Sequence, residues 1–446
     1  VSVLGGSDTI VALATPAGRG AVAIIRLSGP DARAIAARHV TPWPVEPRRA
    51  TLCTVRDAED VALDEALVTL FVAPHSFTGE DVVEIATHGG RVVPALVLAA
   101  LIGSGARGAL PGEFTRRAVM NGKLDLVQAE AIGDLVDAGS RAMQRAALAQ
   151  LDGGLSRRIN ALRDEVIGLE ALIAYDIDFP EEDDGPIPRE RVHAAMTRVI
   201  EQLEHLLATA PAGELVREGA LVVIAGAPNA GKSSLFNALL GAARAIVTEI
   251  PGTTRDAIEA VLDANEWPLR LVDTAGLRET EDVVERFGIE VSARYLAGAD
   301  VVLACGDTDD AVRATSDHVA TLTTAPVLGV HTKGDLSASD SYLSVSAVTG
   351  DGLRALLDAI TATLSERYGA PELDAPILTR ERQRFAVQRA LEEMRSFAGA
   401  VDDQGLPATV AAVHLRTAAD SLADLVGAID VEDVLDRLFR TFCVGK

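Results

Sequence analysis

Lysine is nearly missing from this chain. Among 41 basic residues in 446, only Lys123, Lys232, Lys333 and Lys446 are lysines; the rest are arginines. Asparagine is also scarce (Asn121, Asn160, Asn229, Asn237, Asn265), while alanine is abundant, a pattern of GC-biased coding. The surviving lysines are therefore read as places that need a compact ammonium, where a planar guanidinium will not fit. Three cysteines (Cys53, Cys305, Cys443) give no disulfide framework and no zinc spacing. The eight histidines show no metal-ligand spacing, and His88 reads as structural. No apolar run reaches the roughly 18 residues of a membrane span. The first residues, from Val1, carry no basic region before an apolar core, so no signal peptide is expected and a cytoplasmic location is. Gly (38) and Pro (19) follow no period, which excludes collagen-like and low-complexity chains. Positive charge is short as well: the net charge of −24 argues against a protein that coats nucleic acid or anionic lipid.

What is present is an ordinary globular composition, 48% hydrophobic and 24% charged. At roughly 150 residues per domain the length predicts about three domains. Near residue 220 an apolar run, LVVIAG, reads as a buried strand. It leads into Gly226-Ala-Pro-Asn-Ala-Gly-Lys-Ser233 and then the helical pattern SLFNALLG. Strand, glycine-rich turn and helix make a phosphate-binding loop. Its backbone amides hold the anion, Lys232 reaches the β and γ oxygens, and the Ser233 hydroxyl suits Mg²⁺. Two of the four lysines thus fall in nucleotide motifs, because Lys333 stands in Thr332-Lys333-Gly334-Asp335 after an apolar run at 325–330.

Between these motifs LRLVDTAG ends a second strand at Asp273-Thr274-Ala275-Gly276, a D-x-x-G spacing that senses Mg²⁺ and the γ-phosphate. Segments 299–305 and 341–347 read as further strands, the last ending at Ser346-Ala347. Alternation with helical segments predicts a mostly parallel α/β sheet with its ligand at the strand C-terminal ends. Residues of about 215–368 resemble a Ras-like GTPase of the translation-factor-related branch. That resemblance implies that Asp335 accepts from guanine N1–H and N2–H₂, that Lys333 packs over the base, and that Ser346-Ala347 reach O6, with Val348 a further nucleotide contact. The family pattern has Asn where Thr332 stands, which costs a side-chain amide near the base; guanine specificity is expected to persist.

The flanks narrow the resemblance. DTIVALATPAGRGAVAIIRLSGP (8–30), SFTGEDVVEIATHGG (76–90), PGEFTRRA (111–118) and NGKLDLVQAEAI (121–132) resemble the MnmE (TrmE) family of tRNA wobble-uridine modification GTPases. So do DIDFPEED (176–183), GTTRD (252–256), DTAGLRETEDVVERFGIE (273–290) and the terminal FCVGK (442–446). The resemblance covers essentially the whole chain. It implies a multidomain α/β protein: an N-terminal α+β folate-binding-like and dimerisation domain (1–118), a split helical domain (119–212 and 371–446) and an inserted Ras-like GTPase domain (213–370). From periodicity, Leu124, Val127, Ala131 and Leu135 fall at helical spacing, LSRRINALRDEVIGLEALIA continues it, and DFPEEDDGPIP (178–188) interrupts it.

The residue after D-x-x-G is Leu277, which cannot polarise water. The resemblance implies Glu285 as the catalytic base, acting through a second water. It also implies K⁺ in place of an arginine finger, held by Asn229 and by the carbonyls of Thr248, Ile250 and Thr253, with Arg255 the alternative finger. Mg²⁺ would be completed by Thr254. The implied nucleotide contacts are Asn229, Ala230, Gly231, Lys232, Ser233 and Ser234, the segment Thr248, Glu249, Ile250, Pro251, Gly252, Thr253 and Thr254, and the motif residues above. A one-carbon tetrahydrofolate (5-formyl or methylene type) is implied at Arg26, Glu84, Lys123 and Lys446. Cys443 is implied as a functional thiol, with nucleophile, redox and structural roles all open. The expected activity is a homodimeric, K⁺-dependent GTPase. With the flavoprotein MnmG, which supplies FAD and NADH in a heterotetramer, it would add an aminomethyl-type (carboxymethylaminomethyl) group to C5 of the wobble uridine of certain tRNAs. The alternatives are a ribosome-assembly GTPase, against which no KH-like GXXG module or basic arm follows the GTPase segment, and a nucleotide-gated scaffold.

Overall fold

The computed structural model describes residues 8–178, 189–242, 258–264, 266–273, 294–402, 408–427, 442 and 445. They fall into two compact units, residues 1–133 with 426–446, and residues 134–425. The interruption expected at 178–188 lies almost wholly outside the described residues.

The first unit is a sheet with helices. Its strands are β1 (Ile10–Leu13), β2 (Val22–Ser28), β3 (Val40–Thr41), β4 (Thr51–Arg56), β5 (Ala62–Phe71), β6 (Val82–His88) and β7 (Arg107–Gly108). Their order is β3-β4-β5-β6-β2-β1-β7, antiparallel except for the β1–β7 edge. The alternation of period two sorts the faces. Val11, Ile25, Leu27, Val83 and Ile85 point to one face and pack with α1 (Ala32–His39) and α2 (Val93–Gly103). Ile10 and Ala12 point to the other and pack with Phe114 of α3 (Glu113–Met120).

Beside Phe114 lies a buried ionic knot. Arg117 is 5% exposed and binds Asp8, Glu80 and Glu113, while Arg107 grips Asp8 and Glu113. Burial opposes ionisation of Glu113, but the hydrogen bonds from Arg107 outweigh it and hold the carboxyl below its ordinary value. Asp8 is lowered against the same penalty by Arg107 and Arg117. A carboxyl depressed in the fold contributes stability that is full above its unfolded pKa and is lost as pH falls through the folded value. The first unit should therefore melt at progressively lower temperature as pH drops below the ordinary carboxylate range. Circular dichroism melts of Glu113→Gln should show a flatter pH dependence and a lower melting temperature at neutral pH.

α4 (Leu126–Asp137) spans the boundary between the units. Helical periodicity begins in the sequence at Leu124, but the helix starts at Leu126. Gly122 is in the left-handed region (φ 66°), and Asp125 and Gln128 cap each other: Gln128 N donates to Asp125 Oδ1, and Asp125 N to Gln128 Oε1.

In the second unit α5 (Arg141–Leu151), α6 (Gly154–Asp178), α7 (Arg189–Ala208) and α8 (Ala210–Glu218) precede a sheet. Leu155, Ile159, Leu162, Val166 and Leu169 of α6, and Val192, Met196, Val199, Leu203 and Leu206 of α7, are buried at alternating spacings of three and four. Such a stripe buries one face of each helix. The sheet comprises β8 (Ala220–Gly226), β9 (Ile258–Ala264), β10 (Trp267–Asp273), β11 (Val301–Gly306), β12 (Val327–His331) and β13 (Leu343–Ser344). Its order is β13-β12-β11-β8-β10-β9, parallel except for the antiparallel β9 edge. Helices attend it, among the described residues α9 (Lys232–Ala242), α10 (Asp309–Ala320) and α11 (Leu353–Tyr368). β8 and β11 are buried along nearly their whole length, as central parallel strands require. The chain then returns to helices α12 (Glu381–Asp402) and α13 (Ala408–Val426), and α12 packs on α7. The helical layer is thus split by the sheet. Among the described residues no helix is long and apolar enough to cross a membrane.

Candidate functional site

β8 ends in the middle of the second sheet, at the carboxyl ends of the parallel strands, where α/β folds place their ligands. Gly226 is required there, because a Cβ would lie 2.6 Å from the Cys305 carbonyl. Asn229 (φ 62°) and Gly231 (φ 80°) are left-handed, which turns successive amides inward; Asn tolerates that conformation better than most residues. α9 opens with Lys232 and has no acidic residue in its first turn, so its amides and dipole favour an anion. Lys232 is 7% exposed, and its Nζ donates to Gly226 O (3.1 Å) and Ala227 O (2.9 Å). Ser233 Oγ donates to Asp273 Oδ2 at 2.6 Å, joining the first helical turn to the last residue of β10. Ser234 is exposed beside it. Beneath the loop, Cys305 is fully buried and its thiol is pushed up to about 12 by desolvation, so it is inert packing.

The segment Thr332-Lys333-Gly334-Asp335 follows β12. Thr332 is buried; its amide donates to Gly306 O (2.8 Å), and its hydroxyl is shared between Ala230 O (2.8 Å) and Gly306 O (3.1 Å). Where an asparagine amide was expected to be missed, a hydroxyl ties the phosphate loop to the end of β11. Thr332→Val removes that tie without changing shape. It should cost about 1 kcal/mol, the worth of one buried hydrogen bond. GDP affinity measured by titration should fall about fivefold to tenfold, with the fold retained.

Lys333 is left-handed (φ 55°) and its Nζ pairs with Asp307 Oδ2 at 2.8 Å. Asp335 is exposed, and its Oδ1 accepts from Ser346 Oγ at 2.7 Å. The same Ser346 oxygen accepts from Val348 N (3.2 Å) and Thr349 N (3.1 Å). Gly334 N donates to Val345 O, drawing the two segments together. Thr332, Lys333, Gly334, Asp335, Ser346, Ala347 and Val348 therefore surround one place, opening beside the phosphate loop through Thr332.

Two expectations need correction or addition. The strand expected over 341–347 is only Leu343–Ser344. Beyond it Ser346 N donates to Asp351 O, and Gly350 N to Ser346 O, so the chain turns instead of continuing the ladder. Gly352 closes this turn at φ 77°, where a Cβ would meet Ser344 O at 2.1 Å. Asp307, partner of Lys333, was missed; its place at the carboxyl end of β11 could have found it. Of the remaining candidates, Thr248, Glu249, Ile250, Pro251, Gly252, Thr253, Thr254, Thr274, Ala275, Gly276, Glu285, Cys443 and Lys446 lie outside the described residues.

In the first unit Arg26 and Glu84 are directly opposite on β2 and β6. Arg26 Nε donates to Glu84 Oε1 at 2.9 Å, and its guanidinium lies 5.5 Å from the Phe77 ring centre and 5.7 Å from that of Phe114. Lys123 is exposed and packs against Gly79, on the loop that carries Phe77. Gly445 sits against Leu13 of β1, the strand beside Arg26. An ion pair and two aromatic rings are thus grouped together, with the Lys123 stem against the neighbouring Gly79 loop. Phe77 and Phe114 were not singled out by sequence; their partner across the fold is what marks them.

Two family descriptions match the chain: "GTP-binding protein TrmE N-terminus" over residues 9–123 and "MnmE helical domain" over residues 126–443. The curated "tRNA modification GTPase MnmE" of Thermus thermophilus is 44% identical over 446 residues, covering 98% of this chain and 99% of that one. Those of Akkermansia muciniphila and Aquifex aeolicus are 42% and 39% identical, again over 98% of this chain and 99% and 100% of theirs. With the phosphate-loop fold, the neighbouring Thr332–Asp335 and Ser346–Val348 segments and the split helical layer in place, the chain belongs to the MnmE family of tRNA modification GTPases.

Proposed function

We propose that this chain is a K⁺-dependent GTPase that takes part, with a flavin-dependent partner of the MnmG type, in adding an aminomethyl-type group to C5 of the wobble uridine of certain tRNAs. The observation that carries the nucleotide half is the joint arrangement of Ser233, Asp273, Thr332, Asp335 and Ser346 at the carboxyl edge of one sheet. The tRNA half rests on family membership across nearly the whole chain.

In this reading Lys232 and the α9 amides hold the phosphates, and Asp335 accepts from the guanine edge. Ser233 and Asp273 are neighbouring oxygen donors of the kind that suit Mg²⁺, with Thr254 as a further ligand. The ion would neutralise phosphate charge. Asn229 offers a side-chain oxygen to K⁺, with the carbonyls of Thr248, Ile250 and Thr253 around it. Glu285 takes the proton of the attacking water through a second water, since Leu277 cannot. Residues 1–118 serve folate binding and dimerisation, 213–370 the GTPase, and 119–212 with 371–446 the helical domain between. Arg26, Glu84 and Lys123 fit a tetrahydrofolate, whose ring would meet Phe77 and whose carboxylates would meet the cations, Lys446 among them. Bound there, the folate would supply one-carbon chemistry.

Two measurements test this. GTP hydrolysis by the full chain should be fast in K⁺ and slow in Na⁺, and Asn229→Ala should remove most of the difference while leaving nucleotide affinity nearly intact. A rate indifferent to the cation would return Arg255 to the role of internal finger. Mass spectrometry of tRNA from cells lacking the protein should show loss of the wobble-uridine group; unchanged tRNA would favour the ribosome-assembly reading.

A further inference from the structure

Within the second unit a cavity of about 180 Å³ opens between α4, α5, α8 and β9, away from the nucleotide residues. Its apolar wall is Met143, Ala146 and Ala147 of α5 and Val261 of β9. That volume slightly exceeds the roughly 150 Å³ that takes up a benzene ring in an engineered apolar cavity. This cavity differs in its polar rim.

Asp134, Asp137 and Glu218 line it against a single cation, Arg217. Arg217 is already engaged: its Nε donates to Thr379 O (3.1 Å) and its terminal nitrogen to Glu218 (3.0 Å). Asp134 is held by Arg380 at 2.6 Å. Asp137 has no hydrogen-bond or ion-pair partner among the described residues, and it ends α4, whose last turn has no basic residue. A carboxylate there adds to the negative end of the helix dipole. Gln150 also lines the cavity and is 3% exposed. Its amide hydrogens go to Thr379 Oγ1 (2.7 Å) and Ile377 O (3.3 Å), and its Oε1 has no partner. A buried acceptor without a donor is costly unless something supplies one.

We propose that this cavity is a binding site for a small organic cation, a protonated amine on an apolar body of about one ring. The body would lie on the Met143–Val261 wall, with the ammonium donating to Asp137 and the rim of acceptors around Gln150.

The test uses benzylamine and its neutral counterpart benzyl alcohol on the full-length protein. Calorimetry should show saturable benzylamine binding, with a raised melting temperature. Benzyl alcohol should bind about tenfold more weakly, the loss expected for one hydrogen bond to a charged group. Asp137→Asn, an exposed change that spares the fold, should weaken benzylamine by a similar factor and leave benzyl alcohol unchanged. Ala147→Leu, which fills the wall, should abolish both. Absence of saturable benzylamine binding into the millimolar range, equal binding of amine and alcohol, or an unchanged affinity in Asp137→Asn would each overturn the proposal.

Discussion

Lys232→Ala should lower GTP and GDP affinity by about 10²-fold to 10⁴-fold. The reason is positional. Lys232 is 7% exposed, its ammonium lies within hydrogen-bond reach of the Gly226 and Ala227 carbonyls in the phosphate loop, and no other cation is placed there among the described residues. Two bonds from an ammonium to phosphate oxygens are worth about 1.5–3 kcal/mol each. At about 1.4 kcal/mol per tenfold, that sum sets the range. Lys232→Arg is the sharper experiment. In a chain that uses arginine almost everywhere else, retention of lysine implies that a fork cannot replace a point charge in so narrow a loop. Fluorescent-nucleotide titration should find the arginine variant nearly as weak as the alanine one, with an unchanged melting temperature. Wild-type affinity in Lys232→Arg would mean that its survival carries no functional information.

The second large effect concerns the base. Asp335→Asn should weaken GTP by about 10²-fold or more, since a carboxylate accepting two N–H groups is replaced by a neutral amide. The same change should improve xanthosine triphosphate, whose C2 carbonyl accepts from the new amide where guanine would only donate. Competition binding with the two nucleotides reads the inversion directly. Ser346→Ala is the control. It removes the hydroxyl that holds Asp335 at 2.7 Å and collects the Val348 and Thr349 amides. It should therefore weaken GTP moderately without creating xanthine preference. Loss of both nucleotides alike in Asp335→Asn would indicate a collapsed loop and not a changed acceptor.

Much of this protein was legible in the linear text because its signals are local. The strand–loop–helix at Gly226–Ser233 depends on neighbouring residues, and so does the spacing of Leu155, Ile159, Leu162 and Val166. A run such as LVVIAG, short, β-branched and ended by glycine, forms a strand buried on both faces. Turns were less legible. The 341–347 segment has an alternating pattern, yet Asp351 and Gly352 bend it after two ladder residues, and a Cβ at Gly352 would strike Ser344. Capping moved the start of α4 from Leu124 to Leu126, because Asp125 and Gln128 satisfy each other's backbone amides.

By itself the sequence determined the nucleotide motifs, the split of the helices around a sheet, and the place of Lys232 and Lys333 within those motifs. Those follow from short-range pattern, from the residue types that phosphate and guanine require, and from the order of segments along the chain. Only the tertiary structure decided which distant groups meet. It set Arg26 opposite Glu84 between two phenylalanine rings, and Asp307 against Lys333. It made Thr332 a tie from the β12 end to a carbonyl in the phosphate loop. It also left Gln150 with an unpaired oxygen beside a cavity. Such pairings depend on strand register and on which helix crosses which strand, and a one-residue shift in register turns every side chain to the opposite face.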